Sequence, residues 1–293
     1  MLEQDKKKYT IISPQSENDT NYLIDGDFNR EVVLHFVKNR IRILNSPLIL
    51  CVQGKAGEGK SSHILQICKR LKIWVFFIHG SALCGNHEGE PADIINDLYI
   101  TASEYSKQYN NNNVVILVDD IDTSVASTID NREYTVNSQL INGVFMNIAN
   151  NPYSIGNMQT KRIPIIFTGN NLMNLYAPLK RTGRIRLYSW SPNNEQKLRI
   201  IENLYKDIIH DNEKKEFNKL IQPYINQPIS FFVDLKSNLF DDVIVNEILK
   251  QNKVDLPNLE YIVCTALTQY GWLSKIETTI QALAKNTIQD FNE

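Results

Sequence analysis

The chain has 293 residues, of which 42% are hydrophobic and 22% are charged, and its formal net charge at pH 7 is -2. This composition is typical of a globular protein with a sizeable core, and the length predicts one large domain and a smaller one. The near-neutral charge and the lack of a long Lys/Arg stripe argue against a nucleic-acid partner, and no apolar run is long enough to predict a membrane span.

The start of the chain and its cysteines predict neither export nor a metal site. The first residues, MLEQDKKK, have no apolar stretch like that of a signal peptide and are not acid-poor like a transit peptide. The four cysteines and five histidines show no paired spacing, so we expect neither a zinc site nor a disulfide framework. A protein of a reducing compartment is the simplest expectation.

Residues 1–25 are predicted to be a mobile arm, because residues 1–21 are polar and contain Pro14 and a Ser/Asn/Asp cluster. Asp27 predicts the N-cap of a helix over residues 28–43, whose apolar residues share one side. A folded domain is therefore expected to begin at about residue 26.

Residues 48–62, LILCVQGKAGEGKSS, form an apolar run that breaks into a glycine-rich turn. They fit the pattern G-x-x-x-x-G-K-[ST], in which backbone N–H groups and the N-terminus of the next helix surround phosphate oxygens. Lys60 would reach the β- and γ-phosphates, and the Ser61 hydroxyl would bind Mg²⁺. A glycine turn that happens to precede a lysine is the alternative, but an apolar strand before the turn and a helix over residues 61–71 favour the motif. The candidate nucleotide-binding residues are Gly54, Lys55, Ala56, Gly57, Glu58, Gly59, Lys60, Ser61 and Ser62.

The next strand is predicted over residues 73–78, IWVFFI, and it leads into a loop over residues 79–90 that contains three glycines. Pro91 suits the first turn of a helix that continues to about residue 109. Taken alone, the loop indicates a plain strand-to-helix connection with Leu83 folded inward.

A third apolar strand, residues 114–118, ends in Asp119, Asp120, Ile121 and Asp122. Acids at the end of a strand about sixty residues after a phosphate-binding turn are typical of a Walker B element. Asp119 would hold Mg²⁺, and Asp120 would orient or deprotonate the attacking water. The alternative is an acidic turn without a catalytic role, which is less favoured once the turn at residues 54–62 is taken into account.

Residues 135–149 predict an amphipathic core helix, and residues 162–168 predict another buried strand that stops at Gly169, Asn170 and Asn171. Because ligands in open α/β sheets bind at the carboxyl ends of strands, Asn170 could bond the γ-phosphate or the water. Its alternative role is to cap the short helix that follows.

Residues 180–186 contain four cations, and the guanidinium groups suit a γ-phosphate approached from a neighbouring subunit. A solvated charged face explains the same run equally well, so both interpretations stay open. After residue 191 the strand character is lost, and helices are predicted at 195–209, 230–235, 241–251, 257–270 and 276–291.

Four stretches resemble Rubisco activase, a family of AAA+ ATPases from green plants and cyanobacteria: SPLILCVQGKAGEGKS, EGEPADIINDLY, REYTVNSQLINGVFMNIANNP and RIPIIFTGNNLMNLYAPLKRTGR. The resemblance covers residues 27–190 continuously and residues 227–242 more weakly. It implies an α/β AAA+ nucleotide-binding domain with a mostly parallel five-stranded sheet over residues 26–190. A smaller all-α lid domain is expected over residues 191–293.

The resemblance also implies ATP and Mg²⁺ as cofactors, a hexameric ring of subunits, and Rubisco as the client from which inhibitory sugar phosphates are released. Lys60 and Ser61, Asp119 and Asp120, and Asn170 take the Walker A, Walker B and sensor roles. Arg184 becomes the preferred arginine finger, with Arg181 beside it. The client-engaging pore loop matches Leu83, Asn86 and Gly89.

Several departures from the family leave rival interpretations open. Asp120 stands where most AAA+ proteins have Glu, as it does in activases, whereas Lys236 lies in a segment that replaces an Arg-rich one. The tryptophan-bearing N-terminal segment of plant activases and the small-subunit-like domain of many cyanobacterial forms have no counterpart. A related motor with another client, or a nucleotide-gated scaffold with little turnover, are the alternatives. The resemblance implies a cytoplasmic protein, carboxysome-associated or not, or one of the chloroplast stroma.

Overall fold

The structure is a computed structural model that describes residues 8–16, 22–84, 87, 89–108, 113–125, 136–172, 175, 177–181, 183–241, 244–245, 261, 265 and 271–289. The chain divides into two compact units. The first comprises Met1–Thr20 and Ile24–Ser191, and the second comprises Asn21–Leu23 and Pro192–Glu293. None of the described helices is both long enough and apolar enough to cross a membrane.

The first unit is built on a six-stranded sheet. Its strands are β1 (Thr10–Ile12), β2 (Ile49–Gln53), β3 (Trp74–His79), β4 (Val114–Asp119), β7 (Ile165–Gly169) and β8 (Ile185–Ser189), and a separate hairpin joins β5 (Ser154–Ile155) to β6 (Met158–Gln159). The strand order across the sheet is β1-β3-β4-β7-β2-β8. The helices are α1 (Gly26–Arg40), α2 (Lys60–Arg70), α3 (Glu90–Gln108), the short α4 (Asp122–Val125) and α5 (Val136–Asn150).

The central strands β2, β4 and β7 are buried along almost their whole length. They are parallel to one another and their sequences are continuous apolar runs, as expected for strands that are covered by helices on both faces. Large apolar side chains of α3 and α5 fill one side of this core, including Tyr99 and Phe145. The α/β fold class predicted from the sequence is therefore confirmed.

The prediction of five strands is wrong, because β1 adds a sixth strand from within the predicted mobile arm. Its three residues pair antiparallel with β3, with Thr10 opposite Phe77. The neighbouring Tyr9 is 8% exposed, and its hydroxyl lies 3.0 Å from Asp97 Oδ2 and 3.1 Å from Thr101 Oγ1 of α3. Such a short strand leaves no sequence alternation, so only the tertiary contacts reveal it.

The second unit is helical in its described residues, with α6 (Asn194–Leu204), α7 (Lys214–Ile221), α8 (Ile229–Asn238) and α9 (Trp272–Gln289). Asn193 and Gln196 form a capping box at the start of α6, which satisfies backbone groups that the helix leaves open. The core of this unit contains Tyr205, Phe217, Phe232 and Trp272. Most of the helices predicted at residues 241–251 and 257–270 lie outside the described residues, and the assignment of this unit as a lid stays a prediction.

Candidate functional site

The glycine-rich turn connects β2 to α2 at the carboxyl edge of the sheet. Gly57 and Gly59 have φ angles of 73° and 75°, in the left-handed region that side chains rarely adopt. A Cβ on Gly54 would lie 2.2 Å from the carbonyl oxygen of Trp190, so no larger residue fits there. Each glycine at these positions therefore has a structural reason, and the turn leads directly into the N-terminus of α2.

Lys60 is the first residue of α2 and is only 6% exposed. Its Nζ donates to the carbonyl oxygens of Gly54 at 2.8 Å and Lys55 at 3.0 Å, and to Asn170 Oδ1 at 3.2 Å. Burial lowers the pKa of Lys60, against the opposing influence of Asp120 and the neighbouring acids. A buried ammonium that is bonded to neutral oxygens suits an incoming anion, so this side chain fits the phosphates of a nucleotide.

Asp119, at the end of β4, joins the turn to β7. Its Oδ1 accepts a short hydrogen bond from Ser61 Oγ and another at 2.5 Å from Thr168 Oγ1. A hydroxyl and a carboxylate side by side next to a phosphate-binding turn are the oxygen ligands that Mg²⁺ prefers. The pair therefore fits a magnesium ion that arrives with the phosphates.

Asp120 has a left-handed backbone with φ of 50°, which costs a non-glycine residue on the order of 1–3 kcal/mol. Its N–H donates to Thr168 Oγ1 at 3.0 Å, and its carbonyl oxygen accepts from Thr123 Oγ1 at 2.8 Å. A Cβ on Gly80 would lie 2.3 Å from the same carbonyl oxygen. Specific contacts of the backbone thus hold this turn, and Asp120 is exposed at the end of β4.

The electrostatic surroundings of Asp120 favour its protonated form. Burial raises its pKa first, and the nearby charges of Asp119 and Asp122 raise it further, whereas Lys60 and His79 lower it. A carboxylate whose pKa is raised is a better proton acceptor than an ordinary aspartate. The site therefore has one acid, Asp119, engaged in hydrogen bonds and a second, Asp120, available for proton transfer.

Asn170 follows β7 and contributes its side-chain oxygen to Lys60. Its backbone N–H donates to Asp122 Oδ2 at 2.7 Å, and the N–H of Asn171 lies 3.3 Å from the same oxygen. The other carboxylate oxygen of Asp122 is buried and has no hydrogen-bond partner among the described residues. Asp122 consequently ties the turn after β7 to the acidic turn after β4.

An aromatic cluster supports the glycine-rich turn from one side. Trp190 Nε1 donates to the carbonyl oxygen of Glu58 at 2.7 Å, and its backbone N–H donates to Gln53 at 2.7 Å. The rings of Phe28 and His63 pack on the indole, with centroids at 5.1 Å and 5.4 Å. Burial lowers the pKa of His63, so a neutral imidazole contacts the Gly59 carbonyl oxygen through Nδ1 at 2.9 Å.

The predicted arginines do not join this site within one chain. Arg184 immediately precedes β8, where Ile185 pairs with Ile49, the first residue of β2. The glycine-rich turn follows the last residue of β2, so a strand length of about 16 Å separates the two. Arg184 instead donates from Nε to Asn150 Oδ1 at 2.8 Å and from Nη1 to the Pro178 carbonyl oxygen, and Arg181 is exposed.

The loop after β3 carries Leu83 inward, as the loop taken alone predicts, although the resemblance matches this residue to the client-engaging pore loop. This residue ends a 3-10 helix (Gly80–Leu83), is 0% exposed and belongs to the core of the first unit. The folded-inward alternative therefore holds, because burial of the leucine side chain is favourable where the loop crosses the core. Asn86 lies outside the described residues, and Gly89 stands just before α3 with φ of 89°.

Sequence reasoning missed Thr168, Asp122 and Trp190 as parts of the site. Thr168 is 0% exposed and bonds both Asp119 and Asp120, yet in sequence it is one polar residue inside an apolar strand. A polar residue inside an apolar strand, two positions before Asn170, is the sequence signal that could have identified Thr168 as part of the site. Trp190 gave no comparable signal, because its contact with Glu58 joins residues far apart in the chain.

Comparisons with known proteins agree with this geometry. Residues 50–192 match the family model described as ATPase family associated with various cellular activities (AAA). Three relatives are ribulose bisphosphate carboxylase/oxygenase activases: from Anabaena sp. (31% identical, covering 76% of this chain and 55% of the relative), Chlamydomonas reinhardtii (31%, 76% and 56%) and Nicotiana tabacum (31%, 75% and 51%). The chain spans about half the length of the curated relatives it matches.

Proposed function

We propose that this chain, which matches the AAA family model and is similar to Rubisco activases, hydrolyses ATP in order to remodel another protein. The observation that supports this most directly is the convergence of Lys60, Ser61, Asp119, Asp120 and Asn170 at one edge of the sheet. These groups come from α2, β4 and β7, which are separate in sequence. Together they offer the cation, the metal-binding oxygens and the base that phosphoryl transfer to water requires.

We assign the binding of MgATP to the glycine-rich turn, together with Ser61 and Asp119. The backbone N–H groups of residues 54–62 and the Lys60 ammonium would hold the phosphates, while Ser61 and Asp119 would hold the metal that accompanies them. Magnesium supplies positive charge to the phosphate oxygens during the reaction.

The acid–base step falls to Asp120, whose carboxylate would accept a proton from the attacking water. Asn170 would orient that water or bond the γ-phosphate. Thr168 would act on the reaction only through the two acids, because its hydroxyl contacts their atoms and faces no open space. It is therefore a positioning residue.

An arginine from a neighbouring subunit would complete the site in a ring, with a hexamer as the expected size. The position of Arg184, a strand length from its own phosphate-binding turn, supports a role at the site of another copy. Arg181, exposed in the same cluster, would assist it.

Rubisco is the proposed client, and release of inhibitory sugar phosphates is the proposed result. The names of the relatives support this, and they also suggest a cytoplasmic or chloroplast-stroma location. The client surface would be the loop around Asn86 and Gly89, without Leu83, whose side chain is buried. This burial also favours a second candidate, a related motor that acts on another client.

The test measures phosphate release and carboxylation in the same mixture. With MgATP, the chain should reactivate Rubisco that is held inactive by ribulose bisphosphate, and Lys60→Ala should lose both activities. Asn86→Ala should lose reactivation and keep ATP turnover, whereas the matched control Asn212→Ala should keep both.

ATP hydrolysis without reactivation of Rubisco would contradict Rubisco as the client and favour a related motor that acts on another protein. ATP binding without turnover, at any protein concentration, would contradict the motor and leave a nucleotide-gated scaffold.

A further inference from the structure

A cavity of about 240 Å³ lies at the opposite edge of the sheet from the glycine-rich turn. Residues next to the amino ends of β3, β4 and β7 form its floor, and the end of α1 and the hairpin region form its walls. Four cations line it, and none of the described lining residues is acidic. Its lining includes Asn39, Arg40, Arg42, Tyr153, Lys161 and Arg162.

Arg162 is fixed by neutral partners. Its Nε donates to Asn39 Oδ1 at 3.0 Å, and Nη2 donates to the carbonyl oxygen of Ser46. Asn39 is itself 5% exposed and held by a hydrogen bond of 3.1 Å from Nδ2 to the Pro47 carbonyl oxygen. The guanidinium group is therefore oriented, its charge is not neutralised by these contacts, and it keeps further N–H donors.

Arg42 has a different neutral partner, the Tyr153 ring, whose centroid lies 4.8 Å from the guanidinium carbon. Within the described part of the chain, neither Arg42 nor Arg162 forms an ion pair with a carboxylate. A guanidinium that stacks on an aromatic face still presents its edge for bidentate hydrogen bonding. Two arginines with uncompensated charge thus border one cavity.

The other two cations have an ordinary explanation. Lys161 Nζ donates to the Ser106 carbonyl oxygen at 3.1 Å in the last turn of α3, and Arg40 stands in the last turn of α1. Cations at these places complement the negative ends of helix dipoles. This explanation does not apply to Arg162, which precedes a strand, or to Arg42, which lies beyond α1.

We propose that this cavity is a binding site for inorganic phosphate or a small phosphate ester. Paired guanidinium groups match the oxygens of a phosphate, and positive charge concentrated in a chain of net charge -2 favours a ligand with more than one negative charge. The volume is below the range of about 300–1,000 Å³ that is usual for drug-sized ligands, which favours a small anion. The site is separate from the phosphate-binding turn, which lies at the other edge of the sheet.

The experiment measures phosphate binding by calorimetry in the Lys60→Ala chain, so that the glycine-rich turn contributes little. We expect one saturable site, with affinity reduced at least tenfold by Arg42→Gln and by Arg162→Gln. Arg42→Gln removes an exposed side chain and should leave the melting temperature unchanged, so its result does not depend on folding. Lys219→Gln, an exposed cation of the second unit, is the matched control and should bind like its parent.

Glycerol 3-phosphate is titrated in parallel with inorganic phosphate. The compound that binds with the higher affinity shows whether the site prefers a phosphate ester or free phosphate. Succinate of similar charge should bind at least tenfold more weakly. Absence of saturable binding, equal affinity in Arg42→Gln, or succinate that binds as well as phosphate would each overturn the proposal.

Discussion

The two edges of the parallel sheet carry charge in different ways. At the carboxyl edge, the side chains of Lys60 and Asp119 and the backbone N–H of Asp120 bond to residues of β7 or of the turn after it, so that these groups depend on one another. At the amino edge, Arg42 and Arg162 each contact only neutral groups of the described chain. Substitutions should therefore be strongly coupled at the carboxyl edge and nearly additive at the amino edge.

The largest effect should come from Arg184, which lies at the amino edge of the sheet. If it serves the site of a neighbouring copy, Arg184→Ala should lower ATP turnover by about a thousandfold, the lower end of the range for an arginine finger. Mixing Arg184→Ala with Lys60→Ala should restore some activity, because some interfaces then combine an intact turn with an intact arginine. Steady-state phosphate release measured against protein concentration checks this.

Arg199→Ala is the control, since Arg199 is an exposed cation of the second unit. Turnover that does not depend on concentration, with no recovery on mixing, would show that each chain completes its own site. Arg184 at the amino edge would then have no role in the site of a neighbouring subunit.

An intermediate effect is expected at Thr168, which couples the two acids of the carboxyl edge. Thr168→Val keeps the shape but leaves Asp119 without one donor and the Asp120 N–H without an acceptor, at a cost of about 1–3 kcal/mol. We expect kcat to fall about tenfold or more with little change in KM, which corresponds to at least about 1.4 kcal/mol. Thr168→Ser, which retains the hydroxyl, should recover most of the rate.

The kcat of each variant must be expressed per folded molecule. The folded fraction is measured from the amplitude of the cooperative unfolding transition. If Thr168→Val loses only folded protein and keeps its kcat, the hydroxyl has a structural role alone. A comparable fall in Thr168→Ser would equally contradict positioning by the hydroxyl.

The smallest effect concerns the stability of the Asp120 turn. Because its pKa is raised in the folded state, this carboxyl contributes stability below its unfolded pKa and loses it as the pH rises through the folded pKa. Asp120→Asn cannot ionise, and asparagine adopts a left-handed backbone readily. We expect its melting temperature to exceed that of the parent slightly at pH 7.

This difference should shrink as the pH falls through the range in which Asp120 is protonated, while ATP turnover stays low. Glu104→Gln, at an exposed position of α3, controls for the loss of one negative charge and should show no such trend. A melting temperature below the parent at pH 7 would contradict the cost assigned to this carboxylate.

The sequence predicted the α/β fold and the residues of the carboxyl edge because their signals are local. Lys60, Asp119 and Asn170 each stand at a fixed distance from an apolar run, and parallel strands bring such positions to one edge. Thr168 and Trp190 were not predicted as site residues, because their contacts join segments that are far apart in the sequence. The inward orientation of Leu83 agrees with the prediction from the loop taken alone, whereas the placement of Arg184 required the register of β8 against β2.

The short strand β1 has a consequence for solubility. Without it, β3 would be an edge strand with the sequence WVFFIH, which is rich in residues that favour strands and contains no proline. Exposed strands of this kind pair with copies of themselves and initiate aggregation. The segment Thr10–Ile12 pairs with β3 and so covers part of this edge against pairing with other molecules. We expect that detachment of this segment would expose an aggregation-prone strand, whereas the glycine-rich turn would stay in place.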